Sequence, residues 1–312
     1  MANQNNNTIS NALPAELEQL LISYSGHCIR NGLRESSIKL YIKRDRWFLE
    51  NLVNIGCKCP NLINASNVSA ACCALKSNYY LTPVRTFLRF LANVGYTDRD
   101  YSYVIPLYKH PQPMPSVYSI KEIQQLENTT SNNSKRNYAI VLLVTRLGIR
   151  SSDIALLSFD EVDFDADVIR LVQKKTGAPL ELPLLPEIKA AIQCYIKDER
   201  PSSDNPCIFL NKTVPYNHIT NIGTIIRRNL QRAGIEAGTR RAGPHAFRSS
   251  LASSMVNDNI PYEVVRKTLG HIDTNVIKSY ARLDIEQLRP YALAVPKATD
   301  GFADFLTGKA VL

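Results

Sequence analysis

Residues 245–280 read HAFRSSLASSMVNDNIPYEVVRKTLGHIDTNVIKSY, and the rest of the chain is organised around this stretch. Its first four residues include His245 and Arg248, which share one face of a helix because they stand three positions apart. The Ala, Ser, Leu and Met residues that follow favour a helix here. His271 comes after a short amphipathic run, and Tyr280 lies nine positions further on. Two histidines, an arginine and a tyrosine therefore fall within one compact block.

These side chains are the ones that a reaction at a phosphate diester requires. A cation binds the phosphate oxygens, an imidazole moves a proton and a phenol attacks. Arginine suits the first task because its guanidinium is planar, permanently charged and bidentate. A phenol with a pKa of about 10 is a poor nucleophile at neutral pH. Tyr280 therefore needs a base, and His245 is the expected proton acceptor.

Upstream of this block, Arg150 lies at the junction of two predicted helices. An apolar helix is predicted over 138–147, Gly148 ends it, and a short second helix begins at Ser151. A guanidinium in such a place must be paired or functional, because an unpaired buried charge is too costly to keep. An ion pair with Asp153 and a functional role are both open on this ground.

A β-hairpin is predicted between the two blocks. β-branched and apolar residues over 168–173 and 180–184 predict two strands, and Thr176-Gly177 marks the turn. Lys174 and Lys175 lie near its tip. Since neighbouring strand residues face opposite ways, only one of them can point into a site on a given face. Exposed hairpin lysines most often serve solubility alone.

The first third of the chain predicts a helical domain with a basic exterior. Helices are predicted over 14–28, 36–55 and 68–76, and a fourth runs from Thr82, as N-cap, to Gly95. Four short basic helices are typical of a module that clamps DNA, and a solvated charged face is the ordinary alternative. The candidate DNA-binding residues are Lys39, Lys43, Arg46, Arg85 and Arg89.

Composition shifts along the chain predict its domain boundaries. The first residues are polar and predict disorder, while four prolines between 106 and 115 predict a stiff linker. The resulting segments are a disordered start (1–12), a helical domain (13–105), the linker (106–115), a larger second domain (116–295) and a C-terminal tail (296–312).

The composition favours a polyanionic partner and excludes several other classes. Lys and Arg number 37 against 28 Asp and Glu, which gives a net charge of +9. No apolar run approaches the roughly 20 residues of a membrane span, so a soluble, cytoplasmic protein without a membrane partner is expected. Seven cysteines in no zinc-like spacing predict reduced thiols. The sequence contains no cluster of carboxylates that would indicate a metal site and no glycine-rich loop that would indicate an ATP site. No cofactor is therefore expected.

At this point the residues resemble a known family. From about Pro14 to Pro296 the chain resembles the tyrosine recombinases, the phage-integrase-like site-specific DNA recombinases. An HxxR motif alone is weakly specific, but five motifs in the family's order and approximate spacing are strongly so. They are TRLGIRSSD at 145–153, KTG at 175–177, HAFR at 245–248, LGH at 269–271, and Tyr280.

The resemblance implies a role for each matching residue. Arg150 and Arg248 match the family's two arginines, and Lys175 matches its hairpin lysine. His245 and His271 match its two histidine positions. Tyr280 matches its nucleophile. Asp153 stands where the family has an acidic residue that braces the site. The implied fold is mainly α with a small β-hairpin or sheet, in which a four-helix core-binding domain precedes a mixed α/β catalytic domain.

The implied function is DNA integration or recombination for a mobile element. Strands are cut and rejoined through a 3′-phosphotyrosine intermediate without metal or ATP. The implied partner is double-stranded DNA with specific recombination sites, on which four copies of the chain form a homotetramer. An accessory DNA-bending or directionality protein is a further possible partner. The apolar tail is interpreted as a docking arm between protomers.

Three alternatives stay open from the sequence. A type IB topoisomerase uses a similar site to relax supercoils. A DNA-binding regulator with an inactive recombinase-like site is a second alternative, although it has no reason to keep the full set of side chains. A phosphatase that uses His245 is a third, and it leaves the basic helical domain without a role.

Overall fold

The chain forms two compact units, Met1–Gln112 and Pro113–Leu312. The computed structural model describes residues 13–74, 78–107 and 114–271. The boundary between the units falls within 106–115, the segment whose prolines predict a linker. The disorder predicted over 1–12 and the tail predicted over 296–312 lie outside the described residues.

Within residues 13–74 and 78–107, four α-helices build the first unit around one apolar core. Its largest buried side chains include Leu17 on the first helix, Phe48 on the second and Phe87 on the fourth. These residues recur at helical spacing with their apolar neighbours, so each helix buries one stripe. The helices are α1 (Ala15–Arg30), α2 (Glu35–Asn54), α3 (Ala65–Cys73) and α4 (Leu81–Val94).

Two predicted helix starts in this unit are wrong. The fourth helix begins at Leu81 rather than after Thr82, because a 3-10 turn over Asn78–Tyr80 leads directly into it. The third helix begins at Ala65, where the side chain of Asn64 accepts a hydrogen bond from the Asn67 N–H at 3.0 Å. The capping side chain, rather than the first apolar residue, sets that start.

The described part of the second unit consists of helices and a small sheet. Its helices are α5 (Ile120–Ser131), α6 (Lys135–Arg146), α7 (Ser151–Ala155), α8 (Pro186–Asp198), α9 (Ile222–Arg232), α10 (Pro244–Asn257) and α11 (Tyr262–Leu269). Its strands are β1 (Val162–Asp163), β2 (Val168–Val172) and β3 (Pro179–Pro183). The two units together confirm the predicted fold class.

Helix α6 forms the centre of the second unit. All residues from Ala139 to Thr145 are buried, and α5, α8 and α10 pack around them. A helix that is apolar on every side requires such a position. A capping box begins α5, since Ser119 and Glu122 exchange side-chain and main-chain hydrogen bonds.

The sheet is antiparallel, in the order β1-β2-β3 among the described residues. Ile169 pairs with Leu182 and Leu171 with Leu180, and all four side chains are buried on one face. The predicted hairpin is therefore confirmed, while β1 was not predicted because two residues are too short to show alternation. Among the described helices, none combines the length and apolar character that a membrane crossing requires.

Candidate active site

Arg248 lies at the centre of the site and is bound by the main chain. Helix α10 begins at Pro244, whose fixed φ suits a first helical turn. One turn later the Arg248 side chain is buried, with 3% of its surface exposed. Its Nη1 donates to the carbonyl of Gly148 at 2.7 Å, and its Nη2 donates to the carbonyl of Leu269. The guanidinium is therefore held by acceptors from two separate loops.

Arg150 approaches the same region from the corner between α6 and α7. It directly precedes α7, is half-buried, and its Nη2 donates to the carbonyl of Gly270 at 3.3 Å. The corner depends on Gly148, which has a φ of +60°. A Cβ there would lie 3.0 Å from the Leu269 side chain and 3.1 Å from that of Leu251, so only glycine allows this close approach.

The end of α11 is where these contacts meet. Gly270 ends the helix in the left-handed conformation, and its carbonyl and that of Leu269 accept from Arg150 and Arg248. The next residue, His271, is held at its main chain, because its N–H donates to Arg266 O at 3.0 Å and its carbonyl accepts from the Arg266 guanidinium at 2.9 Å. One turn thus positions His271 and both arginines.

The surroundings of both histidines lower their pKa, which favours the neutral imidazole at neutral pH. Partial removal from water lowers the pKa of His245 below its ordinary value, and the charges of Arg248, Arg241, Lys175 and Arg150 lower it further. The His245 ring remains among the exposed side chains, so its loss of hydration is partial. Its deprotonated nitrogen is therefore available to accept a proton.

The shift is larger for His271. Burial lowers the pKa of His271 to about 3, and the charges of Arg248 and Arg150 contribute in the same direction. A group of fixed cations that suppresses the protonation of two imidazoles creates a strongly positive potential. An anion is the ligand that such a potential favours.

The hairpin turn brings Lys175 to this cluster. The carboxylate of Asp153, which is 3% exposed, accepts the Lys174 main-chain N–H at 2.8 Å and fixes the turn next to α7. The charge of Lys175 acts on His245, whereas the charge of Lys174 acts on the Cys207 thiol. The choice of Lys175 over Lys174 as the hairpin lysine of the site stays a prediction.

Sequence reasoning missed Gln173. Its side chain is 1% exposed, and its Nε2 reaches the carbonyl of Leu269 at 3.4 Å. Strand alternation places residue 173 on the same side as the buried Ile169 and Leu171. A polar residue at an inward position of an apolar strand is the signal that would have found it.

Arg241 lies outside the predicted motifs, and its charge lowers the pKa of His245. Its main chain is held at both ends, since its N–H donates to Ser116 Oγ at 2.9 Å and its carbonyl accepts from Tyr118 Oη at 3.2 Å. These bonds fix the backbone from which the Arg241 side chain extends. Tyr280, the expected nucleophile, lies outside the described residues.

The arginines proposed for DNA contact in the first unit have partners within that unit. Arg46 pairs with Glu18. Arg85 donates to the carbonyls of Ile105 and Pro106 at 3.2 and 2.6 Å, and Arg89 donates to Ser102 Oγ at 3.2 Å. Each of these contacts gives the arginine a role in packing, and a DNA contact by these residues stays a prediction.

The two lysines on α2 differ from one another. Lys39 pairs with Glu35 at 2.6 Å on the exposed surface. Lys43 is exposed, and its ammonium makes neither an ion pair nor a hydrogen bond with any residue in the described part of the chain. Its role in DNA binding also stays a prediction. Across the same residues no group of three His, Cys, Asp or Glu side chains is placed to hold a metal ion.

Comparison with known proteins identifies the family. The profile described as the phage integrase family matches residues 117–287, more than half of the chain. The chain therefore belongs to the phage integrase family, and its resemblance to the tyrosine recombinases is confirmed.

Two relatives illustrate the similarity. The chain is 30% identical over 223 residues to a Sinorhizobium fredii (strain NBRC 101917 / NGR234) protein named integrase/recombinase y4rA, an overlap of 69% of this chain and 54% of that one. It is 27% identical over 216 residues to tyrosine recombinase XerC of Lactobacillus delbrueckii subsp. bulgaricus, covering 67% of this chain and 72% of that one. The chain spans about half the length of y4rA and of a second Sinorhizobium fredii relative, y4rF.

A solved structure shows the shared fold. The Tn1549 transposon integrase, in complex with a circular intermediate DNA, superimposes with a TM-score of 0.62 at 17% identity, covering 88% of this chain and 99% of that one. At this identity the likeness establishes the fold.

Proposed function

We propose that this chain is a site-specific DNA recombinase of a mobile element that cuts and rejoins DNA strands through Tyr280. The observation that carries the proposal is a cluster of cations around two histidines: Arg150 and Arg248 lower the pKa of both His245 and His271, and Lys175 lowers that of His245. Such a cluster suits a phosphate diester, whose transition state carries further negative charge on its non-bridging oxygens. The names of the relatives, among them an integrase/recombinase, support the same assignment.

Cleavage is a transfer of the phosphorus from one oxygen to another. The Tyr280 oxygen attacks the phosphorus, and its proton passes to the neutral imidazole of His245. The bond between phosphorus and the 5′ oxygen breaks, and Lys175 gives that oxygen a proton. Arg150, Arg248 and His271 donate hydrogen bonds to the non-bridging oxygens. The 3′ end is left on Tyr280 as a phosphodiester.

Rejoining reverses these steps with a different strand. A 5′ hydroxyl from another DNA end attacks the phosphorus of the phosphotyrosine, and its proton passes to Lys175. The bond to Tyr280 breaks, and the Tyr280 oxygen takes its proton back from His245. One phosphodiester is exchanged for another, so the reaction requires neither ATP nor a metal ion.

The proposed partners follow from this chemistry. Double-stranded DNA with specific recombination sites supplies the diesters, and four copies of this chain on two sites exchange strands through a Holliday junction. An accessory DNA-bending or directionality protein is compatible with this assembly. The transposon origin of the Tn1549 integrase supports the role in a mobile element.

The test is to trap the covalent intermediate. A DNA substrate nicked just beyond the cleavage site loses its short 5′ fragment after attack, so the adduct accumulates. The full chain is expected to form an adduct that peptide mapping assigns to Tyr280, and Tyr280→Phe is expected to abolish it while DNA affinity changes less than about threefold.

Other outcomes separate the alternatives. An adduct that survives in Tyr280→Phe would contradict the assignment of the nucleophile. Supercoil relaxation with no site preference would favour a type IB topoisomerase. Specific binding to the element's ends with no adduct at all would favour a regulator with an inactive site.

A further inference from the structure

We infer that Gln173 is a positioning residue that aligns Lys175 with the leaving 5′ oxygen by joining the hairpin turn to the end of α11. The inference rests on the proposed function, because it takes Lys175 as the general acid. It assigns a task to a buried amide that the reaction does not itself use.

The first observation is that Gln173 closes the turn that carries Lys175. Its main-chain N–H donates to Ala178 O at 2.9 Å, and its carbonyl accepts from the N–H groups of Thr176 at 3.3 Å and Gly177 at 2.8 Å. Its side chain adds a further contact, since Oε1 accepts from Thr176 Oγ1 at 2.7 Å. The turn is thereby fixed to the Gln173 side chain as well as to its backbone.

The second observation is that the other end of the same amide leaves the hairpin. Nε2 donates to the carbonyl of Leu269 at 3.4 Å, and this carbonyl also accepts from Arg248. A Cβ on Gly270 would lie only 2.1 Å from Nε2, so the amide lies directly against the α11 turn. The hairpin and Arg248 therefore share one acceptor.

Lys175 needs such a support because of where it lies. It is exposed on a turn, and a lysine side chain has about 2 kcal/mol of rotamer entropy that opposes a single orientation. Asp153 holds the main chain at Lys174, but it fixes the turn only towards α7. Gln173 supplies the second point of attachment, towards the residues that hold the phosphate.

If Gln173 aligns Lys175, its loss should slow proton transfer to the leaving oxygen, which a purely structural role would not predict. General-acid catalysis contributes about 10²- to 10⁴-fold, and a misplacement of about 1 Å can reduce a rate by about 10²-fold. A residue that only aligns the acid affects cleavage when the leaving group needs a proton. A leaving group that departs as a stable anion removes that need.

The experiment compares two leaving groups. The probe is the nicked DNA substrate, made with the ordinary 5′ oxygen or with sulfur in its place at the scissile bond. A thiol has a pKa of about 8.5 and leaves without a proton.

Single-turnover rates of adduct formation are measured for the full chain and for two variants. Gln173→Met keeps the length of the side chain but loses the amide, and Lys175→Ala removes the proposed acid. Val172→Thr, at the exposed neighbouring position on the opposite side of β2, is the matched control.

The expected pattern is selective. Gln173→Met should be about 10- to 100-fold slower with the oxygen substrate and within about threefold of the unaltered chain with sulfur. Lys175→Ala should show the same pattern with a larger loss, and Val172→Thr should match the unaltered chain on both substrates. A urea unfolding curve for each variant verifies that it is folded.

Each other result overturns the inference in a distinguishable way. Equal slowing of Gln173→Met on both substrates means that Gln173 supports the whole site, and no slowing on either means that it supports none of it. If Lys175→Ala stays slow with sulfur, the assignment of the acid fails and the inference fails with it. An unaltered chain that forms no adduct on either substrate contradicts the proposed function itself.

Discussion

The two histidines are suited to different tasks, although their surroundings lower the pKa of both. A general base works best when its pKa lies near the working pH. Burial lowers the pKa of His271 to about 3, which leaves a hydrogen-bond donor with little basicity. His245 is more exposed and is shifted in the same direction by a neighbourhood that includes Arg241 and Lys175. Of the two histidines, His245 accordingly fits better the proposed role of acceptor for the phenolic proton.

Arg241→Gln is expected to raise the pKa of His245. Removal of a nearby positive charge makes the imidazolium less unfavourable, so protonation occurs at a higher pH. The titration is followed by ¹H–¹³C NMR of the histidine rings in the DNA-free protein. If His245 is the base, the acidic limb of the cleavage rate moves towards higher pH in the same variant.

Arg232→Gln is the matched control for this change, because Arg232 is an exposed arginine of α9 whose charge is not among those that shift His245. It should leave the titration of His245 where it is. A titration that is the same in Arg241→Gln as in the unaltered chain would show that Arg241 does not act on the base.

Sequence motifs predicted most side chains of the candidate site but not the buried residue, Gln173, that packs behind them. Arg150, His245, Arg248 and His271 are recognisable because each lies in a short motif of fixed spacing. Gln173 belongs to no such pattern, and its role depends on a contact with Leu269, 96 positions away along the chain. Contacts over such a separation depend on tertiary packing, which local spacing does not encode.

At the scale of elements, the end of α11 is the most constrained turn of the site. Gly270→Ala is expected to destabilise the fold by about 1 kcal/mol through its left-handed backbone. It should destabilise it further because the new Cβ displaces the Gln173 amide from a buried position. Urea denaturation measures the first effect, and the adduct rate on the oxygen substrate should fall with the second.

Gly56→Ala provides the matched control at another helix end. Gly56 has a φ of +89°, and a Cβ there would meet nothing within 4 Å. Its loss of stability should reflect the backbone alone and be smaller than that of Gly270→Ala. If both variants lose the same free energy of unfolding and cleave equally fast, the contact between Gly270 and Gln173 contributes nothing to stability or to cleavage.

The elements themselves were predictable where local signals are strong. The capping box at Ser119 and the glycine at the end of α4 mark helix ends through local hydrogen bonds and backbone angles, and both match the structure. The start of α4 was not predictable from Thr82, because the preceding 3-10 turn already gives Tyr80 a helical backbone. Strand β1 was missed because its pairing with β2, and not its own two residues, defines it.

At the scale of the whole molecule, the net charge of +9 overstates how much of the first unit's basic surface is available to DNA. Arg85 and Arg89 are bound to groups of their own unit, while the Lys43 ammonium is exposed. Lys43→Gln should therefore reduce the slope of log affinity against log salt by about one. Fluorescence anisotropy with a labelled site at several salt concentrations measures that slope.

Arg89→Gln serves as the contrasting variant. Because its side chain donates to Ser102 in the same unit, it should lower the free energy of unfolding more than it changes the salt slope. If the Lys43 variant keeps the full slope, that lysine belongs to a solvated face and the DNA contact lies elsewhere.

The acceptors that hold the two arginines include the main-chain carbonyls of Gly148, Leu269 and Gly270. A point mutation can replace a side chain but cannot delete a carbonyl oxygen. Libraries that test the proposed function on new DNA sequences should therefore retain the two glycines, together with Asp153 and Gln173, whose side chains hold the hairpin turn. In the proposed reaction, these main-chain contacts would keep the orientation of the two arginines the same whichever DNA site the protein binds.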